Sequence, residues 1–204
     1  MSKNLLLIFT RNPELGKVKT RLAKKIGKES ALEIYKILLQ RTKEITLKVD
    51  SDKAVYYSEE VNHNFIWNEK VYQKHQQKGK DLGKRMRNAF IEGFNEGYNN
   101  IIIIGSDLFD LSTEIINNAF DKLQKNEVVI GPAKDGGYYL LGMKTLHPNI
   151  FENKAWGTDS VRQETLNDLK NNKVHLLEIL NDIDVFEDIE HHSAFQSFIK
   201  QQNE

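Results

Sequence analysis

Continuous apolar runs alternate along the chain with stretches of helical periodicity. Residues 5–9 (LLLIF) and 101–104 (IIII) are apolar throughout, as in strands that are buried on both faces. Residues 28–49 and 81–98 instead repeat apolar side chains at the spacing of an amphipathic helix. Strands separated by helices predict a mostly parallel sheet covered on both faces, in a single three-layer α/β/α sandwich.

The same patterns predict the remaining elements. Ser112 is suited to cap a helix, because Thr113 and Glu114 follow it in the first turn. We expect residues 1–200 to form one domain and residues 201–204 to be a frayed tail. The further predicted strands are 53–58, 69–75, 128–130, 138–141 and 174–179, and the further helices are 112–125, 160–170 and 185–200.

Composition excludes several classes of protein. The 204 residues are 39% hydrophobic, enough for a substantial core, and the formal net charge is zero. A general nucleic-acid or membrane-surface binder needs a basic surplus that this chain lacks. The absence of cysteine excludes disulfides and thiolate metal sites. No apolar run is long enough for a membrane span or a signal peptide, so we expect a cytoplasmic protein.

A basic segment, TRNPELGKVKTRLA (residues 10–23), follows the first predicted strand. Ligands of open α/β sheets bind beyond the carboxyl ends of the strands, which is where this segment begins. Pro13 and Gly16 indicate a loop, and its cations can meet phosphates together with the N–H groups of a following helix. A solvated basic loop is the alternative. The residues concerned are Thr10, Arg11, Lys17, Lys19 and Arg21.

Two acidic positions are candidate metal ligands. Asp107 follows the four isoleucines, and a carboxylate there can hold Mg²⁺ or Mn²⁺, which prefer hard oxygen ligands. The alternative is a turn aspartate bonded to its own backbone. Asp182 and Asp184 are spaced to project to one side of an extended segment and share a cation. Ordinary acidic charge before a helix would explain this pair equally well.

The segment GPAKDGGYYLLG (residues 131–142) places polar residues between two predicted strands. Asp135 and Gly136 form a standard hairpin turn pair, which explains the backbone shape. The turn is also expected at the same sheet edge as Asp107. There Gly136 and Gly137 let a ligand approach the backbone, and the Asp135 carboxylate can face a substrate.

Two further segments contain candidate binding residues. Gln77 can bind a base or sugar edge, whereas Asp81 is explained sufficiently as the cap of the following helix. Trp156 can form an aromatic platform beside a helix start at Thr158. The alternative for the tryptophan is an ordinary place in the core.

Several motifs in combination resemble a bacterial family of glycosyltransferase-A-like proteins. They are FTRNPELGKVKTRL, GKDLGKRM, GSDLFDL, GPAKDGGYYLLG, WGTDSV and DIDVFEDI, and they extend over about residues 5–189. Some members are identified as glycosyltransferases of arsenosugar biosynthesis. The family is similar to the nucleotidyltransferases of molybdenum-cofactor and coenzyme F420 synthesis.

The resemblance implies a nucleotide-diphospho-sugar transferase fold with a nucleotide pocket in the N-terminal half. It assigns the nucleotide phosphates to the four cations of the basic segment and the metal to Asp107, with Asp184 as a second ligand. It places residues 135–137 on the acceptor or sugar side. The family usually has Cys-Pro after the metal aspartate, whereas this chain has Leu108 and Phe109.

The sequence therefore predicts a Mg²⁺- or Mn²⁺-dependent transferase that uses an activated nucleotide. One version transfers a sugar from a nucleotide-diphospho-sugar to a small acceptor. The other joins an NTP to a phosphorylated small molecule and releases pyrophosphate. A non-catalytic nucleotide-binding protein on the same scaffold is the third alternative. The sequence leaves open whether the chain forms a homodimer.

Overall fold

Seven strands form one sheet in the computed structural model, which describes residues 4–63 and 66–200. The order across the sheet is β3-β2-β1-β4-β6-β5-β7, where β1 is Asn4–Thr10, β2 Asp52–Tyr57, β3 Tyr72–Gln76, β4 Asn100–Ile104, β5 Val128–Pro132, β6 Tyr138–Met143 and β7 Val174–Leu176. All neighbouring strands are parallel except β6, which runs antiparallel to both β4 and β5. The predicted mostly parallel sheet is confirmed.

Seven α-helices accompany the sheet within residues 4–63 and 66–200. They are α1 (Thr20–Ile26), α2 (Lys28–Leu47), α3 (Leu82–Asn95), α4 (Thr113–Lys125), α5 (Val161–Asp168), α6 (Glu187–Glu190) and α7 (Gln196–Lys200), with 3₁₀ turns at Pro148–Phe151 and Ser193–Phe195. The predicted caps are confirmed, because Asp81 accepts a hydrogen bond from the Lys84 N–H and Ser112 accepts one from the Ile115 N–H. Each cap satisfies one free N–H group of a helix terminus.

The core lies on both faces of the sheet, as the continuous apolar strands predicted. In β4, Ile102 and Ile104 pack on one face with α1, α2 and α4. Ile101 and Ile103 pack on the other face with α3, α5 and the 3₁₀ turn at Pro148–Phe151. Successive strand residues point to opposite faces, so an apolar residue is needed at every position. The three-layer α/β/α prediction is therefore confirmed.

The terminal helix predicted at 185–200 is wrong, because α6 ends at Glu190 and a 3₁₀ turn separates it from α7. The His192 ring accepts a hydrogen bond from the Ala194 N–H, and such local bonds compete with a continuous helix. The helix expected after the basic segment begins earlier than predicted, because α1 starts at Thr20, within the residues 10–23 that were predicted as a loop. Leu22 and Ile26, four residues apart, are its buried face.

Two further findings limit what the fold implies. No helix within residues 4–63 and 66–200 is both long enough and apolar enough to cross a membrane. The predicted frayed tail, residues 201–204, lies outside the described residues.

Candidate functional site

Adjacent strands β1 and β4 end side by side and bring two loops together. Tyr35, on α2, connects them: its hydroxyl lies 3.2 Å from Thr10 Oγ1 and 3.3 Å from Ser106 Oγ, and it accepts a hydrogen bond of 2.9 Å from the Arg11 N–H. Thr10, Ser106 and Tyr35 are all buried. The loop after β1 and the loop after β4 are therefore held in a fixed relative position by buried hydroxyl groups.

A cavity of about 660 Å³ opens at this edge of the sheet. Its volume falls within the roughly 300–1,000 Å³ that is usual for small-molecule sites. Seven of the predicted nucleotide- or metal-binding residues line it, namely Thr10, Arg11, Lys19, Arg21, Gln77, Asp107 and Asp184. Lys17 and Asp81 do not line it; their roles in ligand binding, like those of the other seven, stay predictions.

Lys19 occupies an unusual position in this cavity. Its backbone is left-handed (φ 46°, ψ 44°) at the start of α1, although it is not a glycine. Its side chain is only 6% exposed, and Nζ lies 3.0 Å from Asp107 Oδ2. Left-handed backbone costs a bulky residue about 1–3 kcal/mol and is found most often at functional sites. The conformation of Lys19 thus places a nearly buried cation directly against the predicted metal-binding aspartate.

Gly105 allows Asp107 to take its position. A Cβ atom at residue 105 would lie 2.9 Å from Asp107 Oδ1, which is too close for a carbon–oxygen contact. A glycine is therefore required at the end of β4, where the chain turns to direct the carboxylate into the cavity.

The remaining predicted residues of this region have defined partners. Arg21 Nη1 donates a 2.7 Å hydrogen bond to Asp184 Oδ2, which joins the basic segment to the C-terminal part of the chain. The Gln77 amide donates to the backbone oxygens of Thr10 and Tyr56, so Gln77 fixes the wall of the cavity. Lys17 is exposed and pairs with Glu14 and Glu59, away from Asp107.

Sequence reasoning missed Arg85, which also lines the cavity. It lies on the first turn of α3, and its Nε donates a 3.1 Å hydrogen bond to the Gly79 carbonyl. The signal was available, because Arg85 is four residues after the helix cap Asp81 and so projects from the same helix end. With it, the cavity is lined by four cations: Arg11, Lys19, Arg21 and Arg85.

A second, smaller cavity of about 260 Å³ lies on the other side of Asp107. Asp107, Gly105 and Leu82 line both cavities. The predicted substrate-side residues Asp135, Gly137, Trp156 and Thr158 line the second one, whereas Gly136 does not. Leu108, which stands where the resembled family has cysteine, is buried and also lines the second cavity.

The predicted hairpin turn is present between β5 and β6. Asp135 Oδ1 accepts a 2.8 Å hydrogen bond from the Gly137 N–H, which is the local bond of an aspartate turn. Gly136 has φ 92°, and a Cβ atom there would collide with the Asp159 backbone. The turn accounts for the backbone, while the Asp135 side chain is exposed beside the second cavity.

The position of Asp182 differs from the sequence prediction, in which Asp182 and Asp184 project to one side of an extended segment. The two aspartates of the 182–184 pair line different cavities: Asp184 the first and Asp182 the second. Burial, followed by the negative charges of Asp107 and Asp135, raises the pKa of Asp182 to about 6. The Ile183 N–H donates to the Asp107 carbonyl at 3.1 Å, which holds this segment against the loop after β4.

The carboxylates fit a hard divalent cation. Within residues 4–63 and 66–200, no three histidine, aspartate or glutamate side chains are close enough to form a complete metal-binding group. Mg²⁺, however, is usually held by one or two carboxylates and completes its coordination with water and substrate phosphate. Asp107 stands between the cation-lined cavity and Asp182, so a cation there would also relieve the crowding of negative charge.

Trp156 forms part of the wall of the second cavity. Its indole packs against Gly83 of α3, where an added Cβ atom would lie 2.5 Å from Trp156 Cζ2. The residue is only partly buried, so one part of the ring packs on the core and another remains accessible. The core alternative describes the packing of Trp156, and its role as an aromatic platform stays a prediction.

Comparison with known proteins places the chain in a family. The model of a family described as an uncharacterized protein conserved in bacteria (DUF2064) matches residues 38–158, more than half of the chain, and the chain belongs to that family. No curated protein sequence matches it.

Solved structures are similar over almost the whole chain. A protein from Desulfovibrio desulfuricans G20, assigned as a nucleotide-diphospho-sugar transferase, has 28% identity and a TM-score of 0.86, with 100% of this chain and 96% of that chain covered. The 4-diphosphocytidyl-2C-methyl-D-erythritol synthase of Anaerococcus prevotii has 14% identity and a TM-score of 0.62, with 95% and 96% covered. Rv0371c of Mycobacterium tuberculosis, solved with manganese, has 10% identity and a TM-score of 0.53, with 92% and 95% covered. The predicted nucleotide-diphospho-sugar transferase fold is confirmed.

Proposed function

We propose that this member of the family is a divalent-metal-dependent glycosyltransferase that moves a sugar from a nucleotide-diphospho-sugar to a small acceptor. The observation that supports it is the pair of cavities that meet at Asp107. One is lined by four cations, which outnumber its three carboxylates (Glu59, Asp107 and Asp184), and the other is lined by three carboxylates and apolar side chains, with no basic residue among them. Donor phosphates and acceptor thus have separate compartments on either side of one carboxylate.

The first cavity suits the nucleotide and its diphosphate. Arg11, Lys19 and Arg21 offer charge-assisted hydrogen bonds, which are the strong contacts that proteins make with phosphate oxygens. The same groups stabilise the negative charge that develops on the diphosphate as it leaves. The Desulfovibrio desulfuricans relative, whose assigned class uses such donors, supports this choice of substrate.

The carboxylates around Asp107 would hold the metal. We propose Asp107 together with Asp182 or Asp184 as ligands of Mg²⁺ or Mn²⁺. When bound there, the ion supplies positive charge to the diphosphate oxygens. Rv0371c, which shares the fold, has been solved with manganese.

The second cavity suits the acceptor. An acceptor hydroxyl oxygen attacks the anomeric carbon of the sugar, and the bond between that carbon and the diphosphate oxygen breaks. The electron pair of the broken bond leaves with the nucleoside diphosphate. The hydroxyl proton passes to the carboxylate of Asp135, which is exposed beside the cavity and is held by the Gly137 N–H.

A panel of nucleotides tests the proposal. With Mn²⁺ and one nucleotide-diphospho-sugar at about 100 times its Kd, ligand binding should raise the Tm by roughly 5–10 °C for a chain of this size. Release of free nucleoside diphosphate supports glycosyl transfer. Pyrophosphate release from an NTP and a phosphorylated acceptor would instead establish nucleotidyl transfer.

Two outcomes contradict the proposal. A Tm that no nucleotide changes would exclude a nucleotide-using transferase. Binding without release of either product would indicate a non-catalytic nucleotide-binding protein. The variant Asp107→Asn, similar in size to the native residue, should lose metal-dependent turnover. Unchanged turnover would remove Asp107 from the site.

A further inference from the structure

The second cavity differs in charge from the first. Among the residues that line it, three are carboxylates, namely Asp107, Asp135 and Asp182, and none is lysine, arginine or histidine. Lys19 pairs with Asp107 from the first cavity and leaves Asp135 and Asp182 without a basic partner among the residues that line the second. Even with one divalent cation added, the charges of the three carboxylates are only balanced, so an anionic group that enters the cavity finds no surplus positive charge to pair with.

The second cavity also has apolar lining. Its apolar residues include Leu82, Met86, Leu108, Trp156 and Val161. Leu82 is 44% exposed, and Trp156 presents part of its ring. Exposed apolar side chains that surround a cavity mark a binding surface.

The cavity is also small. Its volume of about 260 Å³ is less than half that of the nucleotide cavity, about 660 Å³. It falls below the roughly 300 Å³ at which pockets for drug-sized ligands begin. The occupant is therefore a small molecule or one end of a larger one.

From the carboxylates of the second cavity, its apolar lining and its small volume, we infer that the acceptor is a small uncharged or cationic molecule with an apolar or aromatic part. We infer also that it has no phosphate group. The hydroxyl end of the acceptor lies toward Asp135 and Asp107, and the apolar end lies against Trp156 and Leu82. This inference rests on the proposed function. It excludes the phosphorylated acceptor that the nucleotidyl-transfer alternative requires.

Three ligands of one shape test the charge preference: 3-phenylpropanol, 3-phenylpropylamine and 3-phenylpropyl phosphate. Each is titrated into the protein in buffer that contains EDTA, so that no divalent cation bridges the carboxylates and the phosphate ligand, and the fluorescence of Trp156 is recorded. The second tryptophan, Trp67, is 1% exposed and outside the cavity, and Trp156→Phe shows which part of the signal belongs to Trp156. The alcohol and the amine should bind at least about tenfold more tightly than the phosphate, because like charges in a partly buried site repel strongly.

Asp182→Asn separates charge from shape. With EDTA present, so that loss of a metal ligand plays no part, the variant removes one negative charge with little change in size, and the Kd of the phosphate should fall relative to that of the alcohol. Tighter or equal binding of the phosphate by the unmodified protein would overturn the inference. So would failure of all three ligands to bind, or an unchanged phosphate Kd in Asp182→Asn.

The outcomes for the acceptor and for the proposed function are distinguishable. The nucleotide-induced change in Tm reports the first cavity, whereas Trp156 fluorescence reports the second. Preference for the phosphate with nucleotide binding intact would overturn the acceptor class and leave a nucleotide-using transferase. Absence of any nucleotide effect would overturn the transferase, whatever binds beside Trp156.

Discussion

Lys19 has two unfavourable features, a left-handed backbone and a nearly buried ammonium group. Burial of a charge is costly unless the charge is paired, and Asp107 provides the pair. Both features are explained if the purpose of this position is to hold a cation beside the carboxylate between the two cavities. The basic segment after the first strand predicted phosphate-binding cations, but the sequence did not distinguish Lys19 from nearby Lys17.

Lys19→Met should weaken nucleotide binding roughly 10- to 100-fold, because a hydrogen bond to a charged group contributes about 1.5–3 kcal/mol. Lys17→Met is the matched control, since Lys17 is exposed and pairs with Glu14 and Glu59. Its Kd should stay within about twofold of the unmodified protein. Isothermal titration with the best nucleotide of the panel measures both. Equal losses in the two variants would contradict the assignment and support a general role of the basic segment.

Asp182→Asn should raise the Mn²⁺ concentration needed for half-maximal turnover more than Asp184→Asn does. Asp184 already accepts the short hydrogen bond from Arg21, whereas Asp182 lies beside Asp107 and Asp135 in the second cavity. We expect a shift of at least about tenfold for Asp182→Asn, the usual result of losing a ligand or its close support.

A Mn²⁺ titration of turnover in both variants decides between the two aspartates. A larger effect at Asp184 would support Asp184 as the second metal ligand, as the family resemblance implied. The sequence could not distinguish the two residues, because the alternation of an extended strand places both on one side. In the structure the segment is irregular, and the two carboxylates diverge into separate cavities.

At the scale of elements, the periodic segments were predictable and the short ones were not. β4 and α4 match their patterns because tertiary packing on both faces requires continuous or periodic apolar residues. α1 has only seven residues, and its two buried side chains give too little periodicity beside so many charges. Residues 185–200 show the opposite error, because one helix was predicted where two short ones are found. The 3₁₀ turn at Ser193–Phe195 and the hydrogen bond from the Ala194 N–H to the His192 ring interrupt the helix.

Gly83→Ala tests whether α3 sets the position of Trp156. The added methyl group would meet both the Trp156 indole and the Phe151 carbonyl oxygen, so Trp156 and the 3₁₀ turn must shift away from α3. We expect acceptor-like ligands such as 3-phenylpropanol to bind at least about fivefold more weakly, in line with the 1–3 kcal/mol cost of overpacking. The nucleotide-induced change in Tm should not alter. Ala89→Gly, on the same helix, controls for helix propensity. Unchanged acceptor binding would show that the wall is formed without this contact.

His147 makes the stability of the turn before Pro148–Phe151 depend on pH. Burial lowers the pKa of His147, and its Nε2 has no hydrogen-bond partner in the part of the chain that the structure describes. The folded-state pKa lies below the value of about 6.5 in an unfolded chain, so the unfolded chain binds the proton first. Stability is therefore fully present above about pH 6.5 and falls as the pH drops below it.

His147→Gln should reduce the loss of Tm between about pH 7.5 and pH 5.5, because glutamine does not take up a proton in that range. His191→Gln is the control, since that ring is 92% exposed. Thermal melts of the three proteins in matched buffers measure the effect. Parallel losses in all three would show that His147 does not contribute to the acid sensitivity.

For the whole molecule, the topology rule for α/β sheets predicted that three separated segments meet at one edge. The structure brings the loop after β1, the loop after β4 and the turn between β5 and β6 to that edge. The turn between β5 and β6 lies at this edge because β5 ends there and β6, which is antiparallel to β5, begins there. Division of the edge into two cavities, with all four lining cations in the first, was not predictable, since it depends on which side chains pack between the loops.

The ion pair between Arg21 and Asp184 joins residues 163 positions apart. Synthesis runs from the N-terminus, so the four cations of the first cavity are made long before Asp184. This contact of the cavity wall can therefore form only when synthesis is nearly complete, and a chain that stopped before residue 184 would lack this partner of Arg21.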